Sequence, residues 1–205
     1  MTSSDDTICI YACAAGSSSS ASGPSVTASL TPLHRLRGHS SYITHLDWTS
    51  DGQLLRSTCG AYELLFWDVE AGRIYTQPTA DCKWRTETVT LGFSVMGIWP
   101  PYSDGTDINA VDCSKDLGLV VTGDDFATVK MFNYPCVVKE AARKVGGGHS
   151  SHVANVRFLS TSVGPDSARG AVVSTGGRDA SVLLWSIVPS PEPSVSRKKD
   201  YVQRL

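Results

Sequence analysis

The sequence lacks the features that mark several classes of protein. None of its hydrophobic runs approaches 18 residues, the length that a transmembrane helix needs. Its formal net charge is only −2, so bulk electrostatics does not predict a nucleic-acid partner. The first residues have two acids, no basic flank and a short apolar stretch, which does not favour a signal peptide. A cytoplasmic protein without membrane or nucleic-acid partners is therefore expected, and 205 residues suffice for one core.

The cysteines are also too scattered to predict a metal centre. No paired Cys-x-x-Cys arrangement occurs, so a structural zinc site, or any cofactor, is not expected. No Asn-x-Ser/Thr glycosylation acceptor is present either. Free thiols in a reducing compartment are the simpler interpretation. The six are Cys9, Cys13, Cys59, Cys82, Cys113 and Cys136.

Sustained helical periodicity is missing from the whole chain, and short β-type segments take its place. They are four to eight residues long, rich in Val, Ile, Leu and aromatic residues, and bounded by Gly, Asp or Ser. Asp51-Gly52 between two of them predicts a two-residue hairpin turn. The fold class is therefore all-β. The segments are YITHLDW, GQLLRST, YELLFWDV, INAVDCS, LGLVVTG, ATVKMFNY, HVANVRF, GAVVSTG and SVLLWSI.

An internal repeat organises these segments. Gly-His-Ser-Ser occurs at Gly38–Ser41 and again at Gly148–Ser151, and each copy precedes an aromatic run that ends in Trp. Spacings somewhat above the roughly 40–45 residues of a WD40 blade predict a partial WD40 β-propeller of about three blades. The late aromatic anchors are Tyr11, Trp67, Phe132 and Trp185, and a hydroxyl residue stands ten positions before the last three: Ser57, Thr122 and Thr175.

The repeat divides the chain into predicted units. Residues 1–37 are the end strands of a preceding blade with a mobile serine-rich loop at 14–29, and 188–205 are a disordered Pro-rich and basic tail. Between them lie a blade at 38–80, a divergent blade at 81–136 with an insertion at 81–103, and a blade at 146–187. A propeller needs at least about four blades to close. The chain is therefore predicted to be a fragment of a larger propeller.

Resemblance to the WD40 family implies that histidine, aspartate, hydroxyl and tryptophan join in one buried hydrogen-bonded chain in each blade. Neutral imidazole can both donate and accept, so it can bridge a carboxylate and a hydroxyl. The last blade contains a complete set: His149, Thr175, Asp179 and Trp185. The first blade has His39, Ser57 and Trp67, with Ala61 at the aspartate position, so its network is expected to be incomplete. The divergent blade has Phe126 at that position and no Gly-His, which predicts apolar packing.

A catalytic interpretation of the same residues is disfavoured. His149, Asp179 and Ser174 have the residue types of a hydrolase triad, but no Gly-x-Ser-x-Gly elbow accompanies them. KVGGGHSS looks like a phosphate-binding loop but lacks the Gly-Lys-Ser/Thr ending, and SRKK near the C-terminus is a short solvated basic cluster. The repeat spacing is what a structural role requires, so no enzyme is predicted.

Several stretches resemble the final blades of the echinoderm microtubule-associated protein-like (EMAP-like) family. They are GHSSYITHLDWTSDG, LGFSVMGIWPPYSDGTDINAV, DDFATVKMFNYPC, HSSHVANVRF and STGGRDASVLLW. The resemblance implies a tandem pair of propellers that contacts tubulin. It also implies a separate N-terminal coiled coil and basic region, not contained in this chain, that supply oligomerisation and much of the microtubule affinity. A non-catalytic scaffold on cytoplasmic microtubules is thus expected, with tubulin or other cytoskeletal proteins as partners. The alternative is a WD40 adaptor in a ciliary or signalling complex without direct tubulin binding.

The insertion between the first two blades holds the candidate contact residues. Trp84 and Tyr102 are possible aromatic anchors for a partner, because aromatic residues concentrate at protein interfaces. The competing interpretation is that Trp84 and Trp99 cover a blade face. The sequence leaves both interpretations open.

Overall fold

A computed structural model describes residues 6–20, 23–159 and 169–188, and the regular secondary structure of these residues is β-strand apart from one short 3₁₀ helix. Every strand pair is antiparallel, in one hairpin and three meandering sheets, as a partial β-propeller requires, so the predicted fold class is confirmed. The hairpin consists of β1 (Thr7–Ser20) and β2 (Gly23–Arg37). The sheets consist of β3 (Ile43–Trp48), β4 (Leu54–Cys59), β5 (Leu64–Asp68) and β6 (Arg73–Ile74); β7 (Ile108–Ser114), β8 (Leu119–Asp124), β9 (Thr128–Asn133) and β10 (Arg143–Gly147); and β11 (Val153–Leu159), β12 (Gly170–Gly176) and β13 (Val182–Ile187).

The first strands of the three sheets are linked by polar contacts. Nε2 of His45 in β3 lies 3.0 Å from the carbonyl oxygen of Asn109 in β7. The amide of Asn109 in turn donates to the carbonyl of Val153 in β11 at 3.1 Å. Each contact gives a backbone carbonyl a side-chain donor or ring nitrogen from another sheet. They also hold the three sheets in order, each beside the next.

Apolar cores lie where neighbouring elements face one another, because each sheet can bury a face only against its neighbour. Three buried clusters form in this way among the described residues. The hairpin packs on the first sheet through Ile8, Ile10, Leu36, Ile43, Leu55, Cys59 and Trp67. The insertion packs on the second sheet through Val95, Ile98, Ile108, Val111, Val120, Phe132 and Cys136. The second and third sheets share Ala110, Val121, Val129, Val153, Val156 and Val172.

The predicted serine-rich loop at 14–29 is wrong for the residues that the structure describes. The β1–β2 ladder runs from Thr7–Arg37 pairing to Ser20–Gly23 pairing, straight through that segment. The composition argues against a buried core, but a ladder needs only backbone N–H and C=O groups. A small polar side chain does not prevent that pairing. The predicted tail at 188–205 lies outside the described residues, except for Val188.

Two short edge strands, β6 and β10, were not predicted from the sequence. Strand β6 has only two residues, and β10 carries Arg143, Lys144 and two glycines, so neither shows an apolar alternation. Strand β10 pairs with β9, which extends the divergent blade beyond its predicted end at 136. The Asp51-Gly52 turn also differs, because Thr49 N–H donates to Leu54 O and leaves a four-residue loop. Within the described ranges no helix is long and apolar enough to cross a membrane.

Candidate functional site

The last blade builds a closed hydrogen-bonded chain around His149. The histidine lies in the loop before β11, and its Nε2 is 2.8 Å from Oγ of Ser174 on β12. Nε1 of Trp185 on β13 donates to the same hydroxyl at 2.8 Å. Nδ1 of His149 lies 2.9 Å from a carboxylate oxygen of Asp179 in the β12–β13 turn. The chain thereby ties β12, β13 and the turn between them to the loop before β11.

The hydroxyl in this chain belongs to Ser174, and the prediction of Thr175 is wrong. Four residues separate β4 from β5, but five separate β12 from β13. The extra turn residue shifts the serine to eleven positions before Trp185, whereas Ser57 is ten before Trp67. Since side chains alternate across a strand, this single step points Thr175 to the opposite face.

Asp179 is held in its ionised form. Burial raises the pKa of its carboxyl, but hydrogen bonds from His149, Ser181 and Ser150 together outweigh burial and bring the pKa to about 2. The carboxylate accepts from the Ser150 backbone N–H at 3.1 Å and from the Ser181 N–H at 3.2 Å. The acid therefore closes the loop before β11 onto the β12–β13 turn.

The first blade has an equivalent chain around His39. Its Nε2 lies 2.6 Å from Oγ of Ser57, which also accepts the Nε1–H of Trp67 at 2.7 Å. Its Nδ1 lies 3.3 Å from a carboxylate oxygen of Glu63. The expectation that Ala61 leaves this network without an acid is wrong. The longer side chain of Glu63 reaches the ring from two positions further along the turn.

Glu63 also accepts hydrogen bonds from residues other than His39. It accepts from the backbone N–H and the hydroxyl of Ser40, both at 2.9 Å, and from the thiol of Cys59 at 3.1 Å. Hydrogen bonds from the Ser40 backbone N–H, the Cys59 thiol and the Ser40 hydroxyl lower the pKa of Glu63 to about 2. Burial lowers the pKa of His39 although Glu63 opposes the shift, so the ring is neutral near pH 7.

The divergent middle blade has lost this chain. Thr122 occupies the place of Ser57, but its buried hydroxyl has no hydrogen-bond partner in the described part of the protein. Phe126, at the predicted aspartate position, is exposed. The acid of this turn is Asp124 instead, which accepts from Thr128 N–H at 2.9 Å and pairs with Lys130 at 2.6 Å. Apolar packing of the second sheet replaces the histidine network, as the residue pattern predicts.

The two aromatic candidates for partner contact lie in different environments. Trp84 is buried, with its ring 4.4 Å from the Arg56 guanidinium and 5.9 Å from the ring of Phe66. It is therefore not an exposed anchor, in agreement with the interpretation that it covers a blade face. Trp99 is also part-buried and donates to the Thr90 carbonyl at 3.0 Å. Tyr102 is fully exposed and remains a candidate.

A buried ion-pair cluster joins the first blade to the insertion, and sequence reasoning missed it. Arg56 on β4 donates to Asp47 at 2.9 Å and to Glu87 at 2.6 Å, and all three side chains are at most 3% exposed. Glu87 also accepts from Ser94 at 2.7 Å and from Tyr134 at 2.9 Å. Charged residues are normally placed at the surface by sequence patterns, so nothing in the sequence signals this pairing.

The chemistry of the histidine sites is that of structural cross-links. Asp179, His149 and Ser174 have the connectivity of a hydrolase triad, but Ser174 is fully buried and already accepts from the Trp185 indole. A nucleophile must reach its substrate, and here indole and strands fill the space in front of the hydroxyl. The same arrangement around His39 and Ser57 is equally buried. The geometry supports stabilisation of the first and last blades.

Comparisons with known proteins locate the chain among propeller proteins. A family model described as "Echinoderm microtubule-associated protein second beta-propeller" matches residues 1–187. Human "Echinoderm microtubule-associated protein-like 1" is 45% identical over 160 residues, which cover 77% of this chain and 19% of that protein. Rat "Echinoderm microtubule-associated protein-like 2" is 46% identical over 157 residues, which cover 76% of this chain and 23% of that protein. Xenopus laevis "Echinoderm microtubule-associated protein-like 4" is 44% identical over 154 residues, which cover 74% of this chain and 16% of that protein. The chain thus spans about a fifth of the length of these relatives.

Proposed function

The chain belongs to the echinoderm microtubule-associated protein-like family, and we propose that it acts as a non-catalytic scaffold that binds tubulin or another cytoskeletal protein. The observation that carries this proposal is 45% identity to a relative named for microtubule association. Its place of action would be cytoplasmic microtubules. The catalytic alternative has no support in the geometry, because the histidines are buried and hydrogen-bonded within their blades.

The insertion between the first two blades is the surface that this proposal favours. Its 3₁₀ helix, Phe93–Ile98, exposes Phe93 and Met96. The adjoining segment, held by the Cys136 N–H on the carbonyl of Ser94 at 2.8 Å, exposes Val138. Exposed apolar side chains on neighbouring segments are typical of protein-contact surfaces. Tyr102, at the end of the same insertion, adds a fully exposed aromatic ring.

Local contacts must supply most of the affinity under this proposal. The formal net charge of −2 provides no long-range attraction to an acidic partner such as a microtubule surface. Buried apolar and aromatic groups carry most of the energy of such interfaces. Binding should therefore depend on Phe93 and Tyr102 more than on ionic strength.

Co-sedimentation with assembled microtubules tests the proposal. The protein should pellet with microtubules, and replacement of both Phe93 and Tyr102 by Ala should weaken binding by about tenfold or more. Phe126→Ala is the matched control, because Phe126 is an exposed aromatic residue on a turn outside the insertion. Thermal unfolding of each variant checks that the fold persists.

Two outcomes would count against the proposal. If the folded protein stays in the supernatant at every microtubule concentration, binding to assembled microtubules is wrong. If it also fails to bind unassembled tubulin, the adaptor interpretation replaces direct tubulin binding. If Phe126→Ala weakens binding as much as the double variant, the insertion is not the contact surface.

A further inference from the structure

Three potential metal ligands of different types converge beside the first blade's histidine network. Nδ1 of His39, Sγ of Cys59 and a carboxylate oxygen of Glu63 all lie within 4.8 Å of one another. They come from three separate elements: the loop before β3, the end of β4 and the β4–β5 turn. The pattern of the sequence hides this cluster, because its members are 20 and 4 residues apart and no Cys-x-x-Cys is involved.

Two of the three distances between the donor atoms fit the edges of a tetrahedral site. Zinc–ligand bonds of about 2.0–2.3 Å with tetrahedral angles place neighbouring donors about 3.3–3.5 Å apart. The Glu63 oxygen lies 3.3 Å from Nδ1 of His39 and 3.1 Å from Sγ of Cys59. A metal ion could therefore enter with displacements of a few tenths of an ångström along these two edges. We propose that His39, Cys59 and Glu63 bind a zinc-type divalent cation, with water as the fourth ligand.

The surroundings of the three residues suit this role. A metal-bound histidine normally donates its other ring N–H to a fixed acceptor. Oγ of Ser57, 2.6 Å from Nε2 of His39, is placed to be that acceptor. Ser40 holds the Glu63 carboxylate through its backbone N–H and its hydroxyl. Two of the three ligands, His39 and Glu63, are thus oriented by contacts that do not use the metal.

Access and protonation are also consistent with metal entry. The side chain of Glu63 is 35% exposed, so it forms the solvent side of a site whose other ligands are buried. The Cys59 thiol donates to Glu63 in the metal-free form and must lose that proton to bind metal. The ring of His39 stays neutral and moves its proton from Nδ1 to Nε2. One proton is therefore released for each cation bound.

The last blade supplies an internal comparison. Cys59 pairs with Ile43, four residues after His39, and Gly176 pairs with Val153, four residues after His149. Glycine therefore occupies the position of the thiol in the last blade. The two networks otherwise share histidine, carboxylate, serine and tryptophan. Only the His39 network has a sulfur ligand, so only that blade is expected to bind the cation.

Cobalt(II) titration gives a direct test, because thiolate-bound cobalt has a characteristic charge-transfer absorption. The protein used should carry Cys9→Ser, Cys13→Ser, Cys82→Ser and Cys113→Ser, so that these exposed or partly exposed thiols do not bind cobalt. We expect one equivalent of Co²⁺ with thiolate absorption, displaced by Zn²⁺. Cys59→Ala should abolish the absorption, and Glu63→Gln should weaken binding by more than about tenfold, since even outer-shell changes cost 10–100-fold.

Asp179→Asn is the matched control, because it alters the carboxylate of the other histidine network and leaves the three ligands intact. It should bind cobalt with unchanged affinity. Absence of thiolate absorption in the starting protein would overturn the proposal, as would full absorption in Cys59→Ala. If Cys59→Ala fails to fold, Glu63→Gln decides the matter, since unchanged affinity there contradicts the site. Microtubule binding plays no part in this test.

Discussion

Glu63 lies 3.3 Å from the Nδ1 atom of His39, at the place where the repeat pattern puts Ala61. The contact makes the first blade's network equivalent to that of the last blade, where Asp179 lies 2.9 Å from His149. Two blades that differ in sequence at the acid position thus have the same connectivity. Substitutions in the network of the first blade should therefore affect stability as the corresponding substitutions in the last blade do.

Removal of either histidine should destabilise the protein to a similar extent. His39→Ala and His149→Ala each leave a buried serine hydroxyl and a turn carboxylate with one partner fewer. Each is expected to cost about 1–3 kcal/mol, the usual penalty for a buried polar group that loses its partner. Chemical denaturation measures both. A loss for His39→Ala far smaller than that for His149→Ala would show that Glu63 does not complete the network.

Introduction of aspartate at the predicted acid position should not stabilise the first blade. Ala61 is exposed. The Glu63 carboxylate already contacts Nδ1 of His39, the atom that an aspartate at position 61 would have to reach. The free energy of unfolding should change by less than about 0.5 kcal/mol, the range of ordinary surface substitutions. The same substitution in a Glu63→Ala protein provides the control. A clear gain from Ala61→Asp alone would contradict the structure.

Thr122→Val should leave stability unchanged or increase it. The Thr122 side chain is buried, and its hydroxyl has no partner within the described ranges. Valine has nearly the same shape and removes a desolvation penalty of about 1–3 kcal/mol. Ser57→Ala is the contrasting variant, because it removes a hydroxyl with two partners and should destabilise. Thermal unfolding compares the two variants. A loss of stability on Thr122→Val would show that the Thr122 hydroxyl does have a hydrogen-bond partner.

Arg56→Met should be strongly destabilising. Arg56 lies between Asp47 and Glu87, and its loss leaves two buried carboxylates without their cation. Breaking a buried ion pair by removing one partner costs about 3–5 kcal/mol. Arg56→Lys should recover part of that loss, since it keeps the charge but cannot donate to both acids in the same way. Equal stability of the Met variant and the wild type would exclude a structural role for this cluster.

Stability should fall in acid in two stages. The pKa of His39 is lowered by burial, so below about pH 6.5 the unfolded chain takes up a proton that the folded protein resists. The pKa values of Glu63 and Asp179 are lowered to about 2. Their contribution is present above the ordinary carboxyl pKa values of 4.5 and 3.8 and is lost as the pH falls toward 2. Denaturant unfolding between pH 8 and pH 2 measures both stages.

The carboxylate stage can be assigned by substitution. A protein with Glu63→Gln and Asp179→Asn should be less stable at neutral pH and should lose less stability between pH 4.5 and pH 2. An unchanged slope in that range would show that these two carboxyls do not control the acid transition.

Local signals in the sequence were sufficient for the strands and their repeat. Each of the nine predicted segments overlaps one strand of the three sheets, because alternation of apolar side chains and turn residues at both ends are local properties. The connection among histidine, serine and tryptophan was also predictable in type, since its spacing recurs. The edge strand β10 and the long hairpin were not, because their pairing depends on backbone partners and leaves no apolar pattern.

The sequence by itself determined the all-β blades, the family and the positions of the two histidines. The tertiary structure decided which atoms meet them. One extra turn residue selects Ser174 over Thr175, and the reach of a glutamate makes Glu63 the acid in place of Ala61. Packing of the insertion against the first sheet buries Trp84, whereas Tyr102 in the same insertion is exposed. Turn length, side-chain reach and contacts between distant segments are three-dimensional quantities, so no local pattern of residues contains them.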